Sequence, residues 1–296
     1  MKPKKILFIL LSFIFILFLY INVSEASEEV SKEIIEETEE KEIGRVKLKA
    51  SEEDIERRDE KVLYNNKIML VNENITQEYA QNYYYNQLTN NLSRRIYNAL
   101  LQDENAEGKI ELSINGYIYN VSDFNDDTRR ELYNKNLEPY IFDATFTFME
   151  ERQERYWWNY EIEFYYTYIN HKDSGQIEFS EIELVANCPE KSKKAEFDKK
   201  LNNVANSLEG NSVYDIAKSA HDYVCENVKY ELVDGTEIEH TAYGALMNNK
   251  AVYDGQANLF ILLCRKRGLI TISISGNAIQ SSRKGETSMG ICISSR

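Results

Sequence analysis

The sequence predicts an α+β protein. Two segments with a period of two, Tyr160–Tyr168 and Leu269–Gly276, read as half-buried strands. Thr76–Leu101, Ser212–Val228 and the stretch after Asp254 instead repeat apolar residues at helical spacing. With 43% hydrophobic and 28% charged residues, the 296-residue chain can build a core, which argues against wholesale disorder and suggests one or two domains.

At the N-terminus, Lys2, Lys4 and Lys5 precede an apolar run from Ile6 to Val23, and Ser24 and Ala26 stand at the −3 and −1 positions of a cleavage site. As a helix the 18-residue run would span roughly 27 Å, between a long signal peptide and an uncleaved membrane anchor. Residues 1–26 are therefore expected to direct export, leaving the remainder secreted or membrane-anchored in the cell envelope. Residues 27–62 carry 14 acidic and 8 basic residues and no aromatics, which reads as a solvated stalk or linker.

Residues 63–189 change texture to Tyr, Asn and Ile. Thr76–Leu101 is expected to be a helix, with Tyr79, Tyr83, Leu88, Leu92, Ile96 and Leu100 along it. Lys109–Val121 reads as two strands around an Asn115-Gly116 turn, followed by a helix from about Asp126 to Glu138. Ile162, Phe164, Tyr166 and Tyr168 share one face of a strand that pairs with Gln176–Ala186 across Asp173-Ser174-Gly175. The aromatic stripe from Tyr156 to Tyr168 admits a sugar-binding platform, although aromatics at strand spacing are more often one packed sheet face.

Residues 190–296 open with a polar helix, Lys191–Leu208, closed by Gly210-Asn211. Ser212 to Asp215 is a capping box for a helix with Val213, Ile216, Ala217, Ala220, Tyr223 and Val224 on one face. His221 and His240 read as surface or packing histidines, because no cysteine or carboxylate constellation stands at metal-ligand spacing. Asp254 reads as the N-cap of a helix carrying Ala257, Phe260, Ile261 and Cys264, with Gly268-Leu269 as its C-cap. A strand follows with Ile270, Ile272 and Ile274 on one side and Thr271, Ser273 and Ser275 on the other. Asn277–Gly285 is expected to be a loop and Ser288–Ser294 a last strand.

The stretch from Thr241 to Phe260, TAYGALMNNKAVYDGQANLF, resembles the nucleophile segment of the bacterial transglutaminase-like superfamily. The likeness extends over about Ser212 to Ile293. It implies a transglutaminase-like, cysteine-protease-like core over residues 190–296, built on a Cys-His-Asp design in which the cysteine opens a buried helix. Tyr253 stands in the place of that cysteine and, aligned on Gly285, Thr287 stands in the place of the histidine. No histidine follows Tyr253, and the family's aspartate strand would fall beyond Arg296, so the core is expected to be incomplete. A phenol has a pKa of about 10 against about 8.5 for a thiol, and it needs an activating base to serve as a nucleophile.

The resemblance therefore implies a pseudoenzyme, a binding or structural protein of the bacterial envelope without cofactor or metal. Its partners would be envelope proteins, peptides or cell-wall polymers, with the membrane reached through the N-terminal segment if that stays uncleaved. Two alternatives stay open: a thiol peptidase or acyltransferase with a relocated nucleophile, and a truncated remnant without a biochemical role. The formal charge of −14 argues against nucleic acid as a partner. No P-loop, Rossmann glycine pattern or HExxH occurs. Cys188, Cys225, Cys264 and Cys292 lack CxxC or Cys/His ligand spacing; Cys264 reads as a core residue, and the others as free thiols or disulfide partners.

Overall fold

The computed structural model describes residues 32–37, 41–48, 82–231, 237–280 and 283–294, with side chains over 42–47, 82–231 and 237–273. The expected export segment, residues 1–26, lies outside them, and so do residues 49–81. The chain is α+β, as its patterning predicts. Strands β1 (Lys32–Glu37), β2 (Lys41–Leu48), β3 (Lys109–Asn120), β4 (Ile162–His171) and β5 (Gln176–Ala186) form one antiparallel sheet in the order β1-β2-β4-β5-β3. Period-two burial along β4 sends Phe164, Tyr166 and Tyr168 to the inner face, where helices α1 (Asn91–Gln102), α2 (Asp126–Asn136) and α3 (Glu138–Glu151) supply the covering side chains. Tyr133 of α2 stacks on Tyr166 at 4.8 Å between ring centroids, and Phe142 of α3 meets Phe164 at 5.6 Å.

The outer face of the sheet is a ladder of opposite charges. Arg45 on β2 binds Glu183 on β5 at 2.6 Å and lies 4.0 Å over the Tyr165 ring, while Lys47 pairs with Glu163. This corrects the reading of residues 27–62 as a stalk, because Lys41–Leu48 is a strand of the sheet and Val46 is buried. The charges that suggested solvation are the outward half of a strand, and the inward positions are Gly44 and Val46. Gly44 pairs with Tyr168, and a Cβ there would lie 2.3 Å from the phenol oxygen, so the ring takes the space a side chain would need.

Three more expectations are revised in this region. Of the helix expected over Thr76–Leu101, the described residues from 82 hold a 3-10 turn at Tyr85–Gln87 and an α-helix from Asn91, where the Asn90 side chain accepts from the Leu92 amide at 2.7 Å. Lys109–Asn120 is one strand rather than a hairpin. Gly116 has φ +86 but serves a register shift against β5 between Ser113 and Tyr117, which is a bulge. The aromatic stripe is packed: Tyr156, Trp157, Trp158 and Tyr168 are fully buried, which rules out a sugar platform there. Both indole N–H groups donate to Asp103 Oδ2, at 2.7 Å from Trp157 and 2.9 Å from Trp158, and the amides of Glu107 and Gly108 also donate to this carboxylate.

After a 3-10 turn at Pro189–Lys193 come α4 (Lys194–Ser207) and α5 (Val213–Asn227). Ser212 caps α5 as its capping pattern predicts, accepting from the Asp215 amide at 3.1 Å, although Val213 is exposed rather than on the inner face. Two-residue strands β6 (Lys229–Tyr230) and β7 (Lys250–Ala251) pair in parallel ahead of α6 (Tyr253–Lys266). Gly268 at φ +80 ends α6, and Leu269 N donates back to the Cys264 carbonyl at 3.0 Å, the cap read from the sequence. Strands β8 (Ile270–Gln280) and β9 (Arg283–Ser294) form an antiparallel hairpin, so most of the expected loop Asn277–Gly285 is strand. Thr271 and Ser273 are buried like Ile270 and Ile272, so the start of β8 is covered on both faces.

One hydrophobic cluster runs from Val46 to Leu269. Tyr156 packs on Phe197 of α4 at 5.0 Å and on Tyr243 at 4.7 Å. The Arg265 guanidinium of α6 donates to the Glu151 carbonyl and to Gln153 Oε1, each at 2.8 Å, and to the Thr271 carbonyl at 3.1 Å. Among the described residues no helix is long and apolar enough to cross a membrane.

Candidate functional site

The first turn of α6 is fixed by two backbone contacts that only glycine permits. A 3-10 turn at Ile238–His240 lies against it; a Cβ on Gly255 would sit 2.2 Å from the Glu239 carbonyl oxygen, and one on Gly244 would sit 2.2 Å from that of Ile238. Thr241 closes this turn by donating from Oγ1 to the Ile238 carbonyl at 2.7 Å and accepting from the Gly244 amide at 3.2 Å. The chain then makes a π-helical turn, Gly244–Asn248, and Asn249 at φ 55 redirects it into β7. Val252 N donates to the Glu239 carbonyl at 3.0 Å, so Tyr253 emerges as the first residue of α6.

These contacts bring together His240 and Asp254, fourteen residues apart. His240 Nδ1 lies 2.7 Å from Asp254 Oδ2, with the side chains only 12% and 18% exposed. Asp254 is not the N-cap read from the sequence. Val252 holds that position, and the Asp254 carboxylate serves the imidazole on one oxygen and the Gly255 amide, at 2.9 Å, on the other. In the first turn it still lies at the favourable end of the helix dipole. The His240 carbonyl accepts from Asn258 Nδ2 at 3.2 Å, so this residue is tied to α6 through side chain and backbone. His240 is therefore not the ordinary packing or surface histidine read from the sequence.

Burial pulls the His240 pKa down, but the hydrogen bond to Asp254 and the charges of Asp254, Glu237 and Glu239 outweigh it, and the net shift is upward. Glu237 is raised, first by burial, with the His240 charge working against the shift. Tyr230 is raised by burial and by the negative charge of Asp254. The result is an oriented imidazole–carboxylate pair beneath the helix N-terminus, with two tyrosines at its rim. Tyr230 is 46% and Tyr253 39% exposed, and Tyr230 pairs with Ala251, two residues ahead of Tyr253.

Of the two positions singled out by the resemblance, Tyr253 opens α6 at the surface. Thr287 lies on β9 opposite Asn277, with its side chain outside the described residues. None of the described cysteines stands in the first turn of α6. Cys264 lies eleven residues further along the helix, about 16 Å away, and burial pushes its thiol up to about 12. Cys188 is buried too, its thiol pushed up to about 11 mainly by burial. Cys225 is exposed on α5. Among the described residues no group of three or more His, Cys, Asp or Glu side chains could hold a metal ion. The His240–Asp254 pair itself offers hydrogen bonding and proton holding.

Sequence reasoning missed the His240–Asp254 pair, because it depends on the approach permitted by Gly244 and Gly255. A usable signal was the run Glu237, Glu239 and His240 just ahead of the glycine-bearing turn. No protein-family model matches the chain, and no curated protein matches it.

Proposed function

We propose that the chain is an exported, non-catalytic protein of the bacterial envelope with a transglutaminase-like core. In this reading the face around Tyr230 and Tyr253 binds a peptide or wall polymer. The observation that carries it is the residue at the start of α6: an exposed phenol, not a thiol, stands there beside a half-buried His240–Asp254 pair. Half-exposed tyrosines supply an apolar face and a hydroxyl, the combination that favours sugar and peptide contacts. In this reading an imidazole fixed by a carboxylate holds the rim in shape rather than activating a nucleophile, since a phenol rather than a thiol opens the helix beside it.

The test is co-sedimentation of the purified protein with insoluble cell-wall polymer, alongside a measurement of ammonia release from a glutaminyl peptide and a primary amine. The expected result is sedimentation that the double variant Tyr230→Ala/Tyr253→Ala loses while keeping its unfolding midpoint, and no ammonia. Ammonia release above the buffer rate, or sedimentation unchanged in the variant, would overturn the reading.

A further inference from the structure

Asn-Gly occurs once in the chain, at Asn115-Gly116, and the fold places it in the bulge of β3. Among the described strands β3 is an edge of the sheet, with β5 as its neighbour. Ser113 stands opposite Glu181 and Tyr117 opposite Phe179, so Ile114, Asn115 and Gly116 together face Ser180. Ile114 turns into the core, whereas Asn115 and Gly116 are both exposed. Gly116 has φ +86, and a Cβ built on it would meet nothing within 4 Å. Glycine is needed there for its backbone conformation, and the space around it is open.

An asparagine side chain is attacked by the amide nitrogen of the next residue when the backbone can rotate that nitrogen towards Cγ. In a regular strand the extended backbone and the ladder of hydrogen bonds hold it away. A bulge interrupts the ladder, and a following glycine puts no Cβ in the path of the nitrogen. Two nearby asparagines lack this setting. Asn120 Oδ1 accepts from Gln176 Nε2 at 3.0 Å, and Asn125 caps α2 by accepting from the Thr128 amide at 2.8 Å. Valine and aspartate follow them in the chain, so a side chain stands beside each attacking nitrogen.

We propose that the β3 bulge is a self-modification site at which Asn115 deamidates in the folded protein. The Gly116 amide gives its proton to water or hydroxide, and its nitrogen attacks Asn115 Cγ. A carbon–nitrogen bond forms, the side-chain nitrogen leaves as ammonia with a proton from water, and a succinimide ring remains. Water then opens the ring at either carbonyl, giving aspartate or isoaspartate. Water is the only co-reactant, and nothing is oxidised or reduced. Ammonia is released once per molecule without a primary amine, so the step is distinct from transglutaminase turnover and does not involve Tyr253. The product carries a new negative charge on an edge strand, where charge discourages pairing with another sheet.

The test ages the full-length protein in mildly alkaline buffer made with heavy-oxygen water and maps its peptides by fragmentation mass spectrometry. The expected result is conversion of Asn115 to a mixture of aspartate and isoaspartate carrying one solvent oxygen, ahead of Asn120 and Asn125 in the same tryptic peptide. The rate in the folded protein should lie within about tenfold of the rate in urea, because the bulge leaves the pair free to close the ring. Gly116→Ala should slow conversion by about tenfold or more, by placing a methyl group beside the nitrogen. Asn115→Gln, which would need a larger ring, should show no conversion at this position. Protection by the fold of more than about tenfold, conversion no faster at Asn115 than at Asn120 or Asn125, or an unaltered rate in folded Gly116→Ala would each overturn the proposal. The urea and Asn120 comparisons use the parent protein, so they decide the matter even if Gly116→Ala does not fold.

Discussion

Asp103, between α1 and β3, and Asp254, at the start of α6, are both carboxylates ringed by donors, but the donors differ in kind. Asp103 is buried and holds two indoles and two backbone amides, none of which changes protonation in water's working range. Asp254 is partly exposed and holds one amide and one imidazole, which does change. Around Asp103 every large aromatic is packed away, whereas around Asp254 two tyrosines reach solvent. The first carboxylate fixes the fold, and the second leaves a surface whose charge responds to pH. Tyrosine content alone would not separate the two, because this chain has 21 tyrosines and several, Tyr97, Tyr133, Tyr156, Tyr166 and Tyr168 among them, are core.

The comparison is broken most sharply at Asp103. Asp103→Ala strands four donors in a buried junction and is expected to cost about 4 kcal/mol or more, with Asp103→Asn losing less because one oxygen acceptor remains. Urea unfolding of the two variants measures the difference. Gly255→Ala drives a methyl group into the Glu239 carbonyl and should cost about 3 kcal/mol, while separating His240 from Asp254. The histidine's NMR titration would then move down towards its ordinary value. A titration that stays high in this variant would show that Asp254 is not the main partner.

Glu151 offers a pH test within the core. Its carboxylate accepts from the Tyr84 and Tyr85 amides and, at 2.6 Å, from the Tyr97 hydroxyl, yet burial raises it to about 6. The folded value lies above the ordinary one near 4.5, so the fold binds the proton more tightly than the unfolded chain does. Stability should therefore fall by about 2 kcal/mol as pH rises from about 4.5 through 6, a slope that Glu151→Gln removes. His240 has the same sign in a higher window. Its raised folded pKa gives a stabilisation fully present below about pH 6.5 and lost as pH climbs through the folded value. Comparison with His240→Gln across that range should show this fall in stability in the parent and not in the variant. The smallest effect is expected at Tyr253, where Tyr253→Cys should change stability by under about 0.5 kcal/mol, expose an alkylatable thiol and still release no ammonia from a glutaminyl peptide.

What the sequence disclosed follows the range of the interactions involved. The β4–β5 hairpin, the Ser212 cap and the Gly268 terminus depend on residues within a few positions of each other, and all three were legible. Helix α3 was not: its Ile, Phe and Thr content favours a strand, and its conformation is set by burial between α1, α2 and the sheet. Asn115-Gly116 looked like a turn because a glycine bulge and a hairpin turn demand the same positive φ. The charge run over β2 concealed a strand because its partners, Glu163 and Glu183, lie more than a hundred residues away. At the candidate site the start of α6 was legible, but the imidazole beside it was not, since a glycine contact rather than a residue pattern sets that pairing.

One contact carries a consequence for how the molecule is made. The Tyr84 hydroxyl donates to the Ser273 carbonyl at 2.6 Å, and Tyr83 and Tyr84 share a small apolar cluster with Ile270 and Ile272. A chain that emerges in order from a ribosome finishes its sheet and first three helices long before β8 exists. During that interval the two tyrosines have no β8 isoleucines to pack on, and the growing chain carries an apolar face that a holding chaperone can cover. Completion of the fold then waits for the hairpin, so arrest of translation before Ile272 would leave a protein nearly built yet marked as unfinished.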